Sequence, residues 1–330
     1  MARALRIWLA CAALAAASLA LALLLGSSPI PAGELWRHLV VPDDSAASQV
    51  LHQLRLPRAG AAFGTGGLLA LAGALMQVLL RNPLAEPYVL GVSGGAAVGA
   101  LGAMVLGLAV AWTHVGAFGG ALLSIVVVFA VAQRDLGAAA VSEPAEGTPR
   151  LLLAGVMLAA FWTALVTLML ALAPEARIRG MLFWLAGDLG ATDAGTLPAW
   201  ALLIATLAMA PLARSLNVLL RGSVVARTLG VPVVALRRTL YVVASLATAL
   251  AVTTSGAVGF VGLVVPHGLR LLIGNDQRVL LPACALTGGA ALLLADTLAR
   301  TLLAPQQLPV GIVTALIGVP TFLVLLLRRR

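Results

Sequence analysis

The chain contains no lysine: all 21 of its basic residues are arginine. A nucleotide-binding loop of the G-x-x-x-x-G-K-[ST] type needs a lysine to reach the phosphates, so the chain carries none. Schiff-base chemistry on a lysine is excluded on the same ground. Charge is scarce as well. Only 10% of the 330 residues are charged, against roughly a quarter in a soluble domain. There are two cysteines, Cys11 and Cys284. Both lie in apolar runs without CxxC spacing and read as small buried hydrophobes, with no disulfide framework. His38, His52, His114 and His267 lack the i, i+3 or i+4 pairing of a ligand helix, so each reads as structural. No group of His, Asp, Glu or Cys falls at one depth, as a membrane-embedded enzyme would require. No catalytic residue and no metal site is expected. The net charge of +9 has no basic stripe interleaved with aromatics, so it does not point to nucleic acid.

What the chain has is apolar length. Apolar residues make up 61% of it, enough for about ten spans at about 20 residues each. Long apolar runs, in place of short alternating ones, exclude a transmembrane β-barrel. The expected fold is all-α and polytopic. Arg3 and Arg6 precede an uncharged run from Ile7 to Leu25. It resembles a secretory signal but is long for one, and reads as an uncleaved first span. Further spans are predicted at about 59–80, 90–111, 115–133, 151–172, 196–213, 239–257, 258–273, 279–299 and 309–327, with both termini cytoplasmic. Near 257/258, Gly256, Gly259, Gly262 and Pro266 predict a broken or kinked helix. This topology puts 15 arginines inside and six outside, as the positive-inside rule favours.

The connections are uneven. Residues 26–58 form a long outer segment, and 134–150 a polar inner loop. Residues 214–238 form the largest inner loop. In it a short amphipathic helix is expected from Ser223 to Leu229, stopped by Gly230 and followed by Pro232. Many of the 34 glycines fall inside spans, where small residues let helices pack closely. Asp296 is the main ionisable residue within a span. It stands four residues before Arg300, close enough for an ion pair on one helix face. Buried carboxylates at mid-membrane, which a proton-coupled transporter would need, are almost absent. Arg55, Arg58 and Arg300 run against the positive-inside bias. They suit docking of an acidic partner on the outer face, or interfacial snorkelling without one.

Several segments carry a resemblance to a known family. They are Arg55-Leu-Pro-Arg58, Gly73-Ala-Leu-Met-Gln77, Arg81-Asn-Pro-Leu-Ala-Glu-Pro87 with Leu90-Gly-Val-Ser93, and Leu151-Leu-Leu-Ala-Gly155. Toward the C-terminus come Gly259-Phe-Val-Gly-Leu-Val-Val-Pro-His267, Leu280-Leu-Pro282, Leu293 to Arg300, and Leu308-Pro-Val-Gly-Ile-Val-Thr314. In this order they resemble the permease subunits of bacterial ABC importers for vitamin B12, ferric siderophores and haem. The stretch from Gly256 onward is most similar to the vitamin B12 branch.

The resemblance implies one permease domain over residues 1–330, in the bacterial inner membrane, paired as a homodimer. Two ATP-binding cassette subunits would bind on the cytoplasmic side and carry ATP and Mg. This chain would bind no cofactor. A periplasmic substrate-binding protein would dock outside on Arg55, Arg58 and Arg300. Asn82, Leu84 and Thr148 match a cytoplasmic gate. Ser223, Ala226, Arg227, Leu229, Gly230 and Val231 match the coupling helix that meets the ATPase. The chain departs from the family where Ser223 replaces a common acidic residue, where Tyr88 replaces a common Gly, and where Pro149 follows Thr148. An ion-coupled secondary transporter is the more distant alternative.

Overall fold

The computed structural model describes residues 2–26, 32–138, 149–190 and 195–327. Among these the regular structure is helical, with no strand. The elements are α1 (Ala2–Leu24), α2 (Ala32–Val40), α3 (Ala46–Gln49), α4 (Leu56–Leu79), α5 (Val92–Val105), α6 (Val110–Ala138), α7 (Pro149–Leu172) and α8 (Glu175–Leu185). They continue with α9 (Leu197–Met209), α10 (Ala213–Leu219), α11 (Ser223–Thr228), α12 (Val233–Ser255), α13 (Val261–Ile273), α14 (Gln277–Thr301) and α15 (Val310–Leu327). Eight segments are long and apolar enough to cross a membrane, and α5 and α13 are shorter apolar helices. The ten predicted spans are therefore all helical, two of them at reduced length.

Contacts between helix ends support the predicted alternation. At the inner ends, Trp8 Nε1 of α1 donates to Val279 O of α14. At the outer ends, Arg300 of α14 donates to Ala22 O of α1. Inner and outer are used here in the sense fixed by the arginine count.

The bundle is organised around α4. Every residue from Gly64 to Leu79 is buried, as expected of a helix that is apolar all round. It packs against α14, α12, α9 and α13. Glycine makes these approaches close. A methyl group on Gly73 would overlap Gly262 O of α13, and one on Gly99 would overlap Gly116 O, where α5 crosses α6. Backbone in contact with backbone is what small residues permit in lipid. By contrast α1, α7, α9 and α15 keep exposed leucines, valines and isoleucines on their outer faces. Such surface suits lipid or a second protein, not water.

The boundaries differ from expectation in three places. The second span begins earlier, because helix runs without a break from Ala46 to Leu79. It widens into a π turn at Val50–Arg55 just before Pro57. Proline lacks the N–H that would close the preceding turn, and its ring pushes against that turn, so the helix relaxes by widening. The inner loop expected over 214–238 is shorter, confined to residues 220–232 between α10 and α12. Asn217 explains the longer helix: its amide donates to Asp276 Oδ1 (2.7 Å) and accepts from Gln277 N (2.8 Å), anchoring α10 to the start of α14. Third, α5 and α13 extend only about 20 Å at 1.5 Å per residue, short of a bilayer core of about 30 Å. Each is preceded by an irregular stretch, 80–91, which includes a 3₁₀ turn at Pro87–Leu90, and 256–260.

Candidate functional site

At the outer end, the three arginines predicted for docking converge. Asp296 is buried, at 1% exposure. Arg58 clamps it, with Nε 3.1 Å from both carboxylate oxygens and Nη2 2.8 Å from Oδ1. The remaining Arg58 nitrogen, Nη1, donates to Gln307 Oε1 (2.9 Å). Arg300 Nε lies 3.5 Å from Asp296 Oδ2 on the same helix, and Nη2 donates to Ala22 O (2.6 Å). Arg55 donates to Leu23 O and to Leu24 O (3.2 Å). Thus Arg55 and Arg300 satisfy the last carbonyls of α1, where a cation also meets the negative end of the helix dipole. The same-helix pair expected between Asp296 and Arg300 is present, but the shorter, two-pronged partner is Arg58 from α4. The cluster is a lock between α1, α4 and α14. Three guanidiniums against one carboxylate leave it net positive.

A cavity of about 850 Å³ opens near the same side, between the α5–α6 turn and α8. His114, Arg177, Arg179, Phe183, Trp184 and Asp188 are among its lining. Its size is that of a small-ligand cleft. Arg177 is held there by the C-terminal carbonyls of α5, Met104 O (2.9 Å) and Val105 O.

The two unwound stretches meet in the interior. Tyr88 Oη donates to Val258 O (2.8 Å) and accepts from Val258 N (3.0 Å). Glu86 Oε1 accepts from Phe260 N (3.1 Å). Gly256 has φ +66° and Phe260 has φ +68°, the second being costly for a residue with a side chain. Irregular backbone at membrane depth is tolerated only where protein satisfies its polar groups. Tyr88 and Glu86 do this for the break that Gly256, Gly259 and Gly262 predicted. Neither was selected from the sequence as a site residue. The one signal was Tyr88 itself, at a position where the resembling family commonly has Gly.

The predicted gate residues lie just before this junction. Asn82 Oδ1 accepts from Leu84 N (2.9 Å), a local turn after Arg81, whose φ is +50°. Asn82 and Leu84 are both exposed. Thr148 lies outside the described residues, so its position relative to Asn82 is not defined.

The residues predicted for coupling form α11 and its stop. Gly230 N donates to Arg227 O (2.8 Å) and Val231 N to Ala226 O (2.9 Å). With Gly230 at φ +79°, this is a Schellman stop, as Gly-Val-Pro after a helix predicts. Ala226 is fully buried, while Val224 and Leu229 are 66% and 65% exposed. Ser223 is half-buried and Arg227 exposed. The helix therefore presents an apolar inner face fixed by one buried alanine. Nearby, the Asp276 carboxyl is held down to about 2 by Arg278 first, with Asn217 adding to it.

Similarity to known proteins follows the whole chain. The chain is 39% identical over 334 residues to the vitamin B12 import system permease protein BtuC of Escherichia coli O127:H6, covering 97% of this chain and 95% of that protein. It is 41% identical over 312 residues to BtuC of Klebsiella pneumoniae, covering 91% and 88%. Among solved structures, an inward-facing conformation of a metal-chelate type ABC transporter superposes with a TM-score of 0.84 at 28% identity. That match covers 98% of this chain and 99% of the other. The family model described as the FecCD transport family matches residues 13–328, and the chain belongs to that family.

Proposed function

We propose that the chain is the permease subunit of an ATP-driven importer in the bacterial inner membrane, with vitamin B12 as its cargo. The observation that carries the cargo is the full-length similarity to permeases named for vitamin B12 import. The subunit works as a homodimer. Two ATP-binding cassette subunits sit on its inner face and supply ATP and Mg chemistry. A substrate-binding protein docks on its outer face. The cargo passes without covalent change.

The geometry supports a route for coupling. Movement of the ATPase subunits is received by the apolar face of α11, Val224 and Leu229 above all. The Schellman stop leaves little slack between α11 and α12. At its outer end α12 reaches the junction at Val258 and Phe260, which Tyr88 and Glu86 join to the gate stretch at Asn82 and Leu84. The net positive cluster of Arg55, Arg58 and Arg300 attracts an acidic docking partner. Because Arg58 and Arg300 also hold Asp296, reversing their charge would break the fold as well as the dock. Salt dependence of docking by the wild-type chain is the cleaner readout.

The experiment is uptake into proteoliposomes that contain the chain, its ATPase and its binding protein, with cobalamin, haem and a ferric siderophore offered in parallel. Cobalamin uptake that needs ATP and both partners is the expected result. Uptake of a siderophore or haem alone would move the cargo within the family. Uptake driven by an ion gradient without ATP would overturn the reading.

A further inference from the structure

The cavity between the α5–α6 turn and α8 has no part in the coupling route, yet it gathers charge and apolar surface in one place. Arg177, Arg179, His114 and Asp188 line it together with Leu108 and Phe183. Arg177 is fixed there: Nη1 donates to Met104 O (2.9 Å) and Val105 O, the last carbonyls of α5. Its guanidinium lies across Gly107, where a methyl group would stand 2.6 Å from Nη2. Arg177 has no other partner among the described residues, so Nε and Nη2, the side edge of the fork, stay open. That edge carries two parallel N–H groups, which suit two oxygens of one phosphate. The Arg179 guanidinium carbon sits 5.7 Å from the centre of the Phe183 ring. Neither arginine forms an ion pair among the described residues. Asp188 Oδ1 accepts from Gly190 N (2.7 Å), and His114 is held through Nδ1 by Thr253 O (2.9 Å).

The surroundings say where this cavity lies. Leu106, Leu108, Val110, Trp112 and Val115 run along the turn and the start of α6 with exposed side chains. A tryptophan among exposed aliphatic residues at the end of a span is the composition of a membrane interface. Leu108 and Val110 belong both to that surface and to the cavity, so the two are continuous. We propose that the cavity holds one anionic phospholipid of the outer leaflet. Its phosphodiester meets Arg177 and Arg179, and the upper part of an acyl chain lies on Leu108, Val110 and Phe183. Two guanidiniums against the Asp188 carboxylate leave one positive charge, which a phosphodiester with a neutral headgroup balances. A headgroup that adds an ammonium does not. The apolar wall continuous with the membrane surface favours a lipid over a soluble anion. Once bound, the lipid ties α8 to the α5–α6 turn. The site rests on this cavity and does not depend on which cargo is carried.

The test uses the full-length chain in a neutral detergent. Native mass spectrometry after stepwise delipidation should show one phosphatidylglycerol retained per chain. Added phosphatidylglycerol should raise the unfolding temperature saturably, and more than phosphatidylcholine does. R179Q should weaken this binding about fivefold, the scale of one basic residue at an anionic lipid surface. R177Q should weaken it by about tenfold or more, the scale of a lost charge-assisted contact. Because R177Q also frees the end of α5, A176W serves as a second variant. Ala176 lines the cavity, so this change fills the space, keeps both arginines and should expel the lipid. R37Q, on α2 and outside the cavity lining, should bind lipid like the wild type. Glycerol phosphate, a head without chains, should fail to compete even in large excess; effective competition would make this a site for a soluble anion and overturn the proposal. It is also overturned if phosphatidylcholine stabilises as well as phosphatidylglycerol, if R179Q and A176W retain the lipid like the wild type, or if R37Q loses as much as R179Q.

Discussion

At the outer ends of α1, α4 and α14, three arginines gather around one buried carboxylate. At the inner ends of α4 and α12 and on α11, three arginines gather with none acting on the buried one among the described residues. The residue type is the same, but inside only Arg237 is buried, while Arg81 and Arg227 are exposed. What differs is where each guanidinium finds its counter-charge. Outside, Asp296 and the last carbonyls of α1 take up most of the N–H groups, Arg300 Nε being left with only the Asp296 charge 3.5 Å away, so the arginines act as structure and keep a residual positive field. Inside, Nε and Nη1 of Arg237 are buried with neither a hydrogen-bond partner nor a carboxylate beside them among the described residues. Burial alone does not say which role an arginine plays; the satisfaction of its donors does.

The comparison can be broken at either end. The largest effect is expected for Asp296→Ala, which strands Arg58 and Arg300 in a buried place. A loss of about 3–5 kcal/mol is expected from removing one member of a buried ion pair, read as denaturant unfolding in detergent. Unchanged stability would mean that the outer cluster is not a lock. Next is Tyr88→Phe, which removes the hydroxyl bonded to both Val258 N and Val258 O. It should cost about 1–3 kcal/mol by leaving buried backbone groups unpaired, with uptake falling in step. Wild-type uptake from this variant would detach the gate stretch from the helix break.

Arg237→Met should have the opposite sign from Asp296→Ala. In zwitterionic discs its stability should equal or exceed the wild type's, because a buried charge with two unpartnered donors leaves the interior. A fall of the size seen for Asp296→Ala would erase the contrast between the two ends. Leu229→Ala should change stability by no more than about 0.5 kcal/mol, as for an exposed position, yet lower ATP-driven uptake. Equal uptake would reduce α11 to a connector.

The smallest effect concerns pH. The Asp276 carboxyl is lowered to about 2 in the folded chain. Its contribution to stability is therefore fully present above the ordinary carboxylate range, around pH 4, and is lost only as the pH falls toward 2. Between pH 8 and 5 this group should leave unfolding midpoints unchanged. Asn217→Ala should lower stability across the neutral range, where both of its bonds are made, and flatten the loss seen on acidification toward pH 2.

Much of this architecture is legible in the residues. The ten apolar runs become ten helices, because apolar length at membrane scale leaves the backbone few alternatives. The stop at Gly230 follows from local glycine chemistry, and the glycines at 256, 259 and 262 mark where α12 breaks, although Tyr88 and Glu86 satisfy the backbone of that break. The end of α10 was not legible, since its last turn is held by Asn217 reaching the start of α14, some sixty residues on. Arg237 reads in the sequence as one more cytoplasmic loop arginine, and in the structure it is buried. Glu86 reads as part of a motif, and in the structure it accepts the Phe260 amide. The burial of Arg237 and the partner of Glu86 both depend on distant segments, which periodicity does not address.

The sequence by itself determined the helical class, the number of spans, their alternation and the sites of local breakage. Each of these depends on side-chain polarity or backbone preference within a few residues. Only the tertiary structure decided that Arg58 and Arg300 meet Asp296 and that Arg237 is buried. It also decided that α5 and α13 fall short of a full span and that the stretches before them join through Tyr88 and Glu86. Those outcomes depend on where a donor finds its acceptor, and the acceptor is brought there by packing around α4.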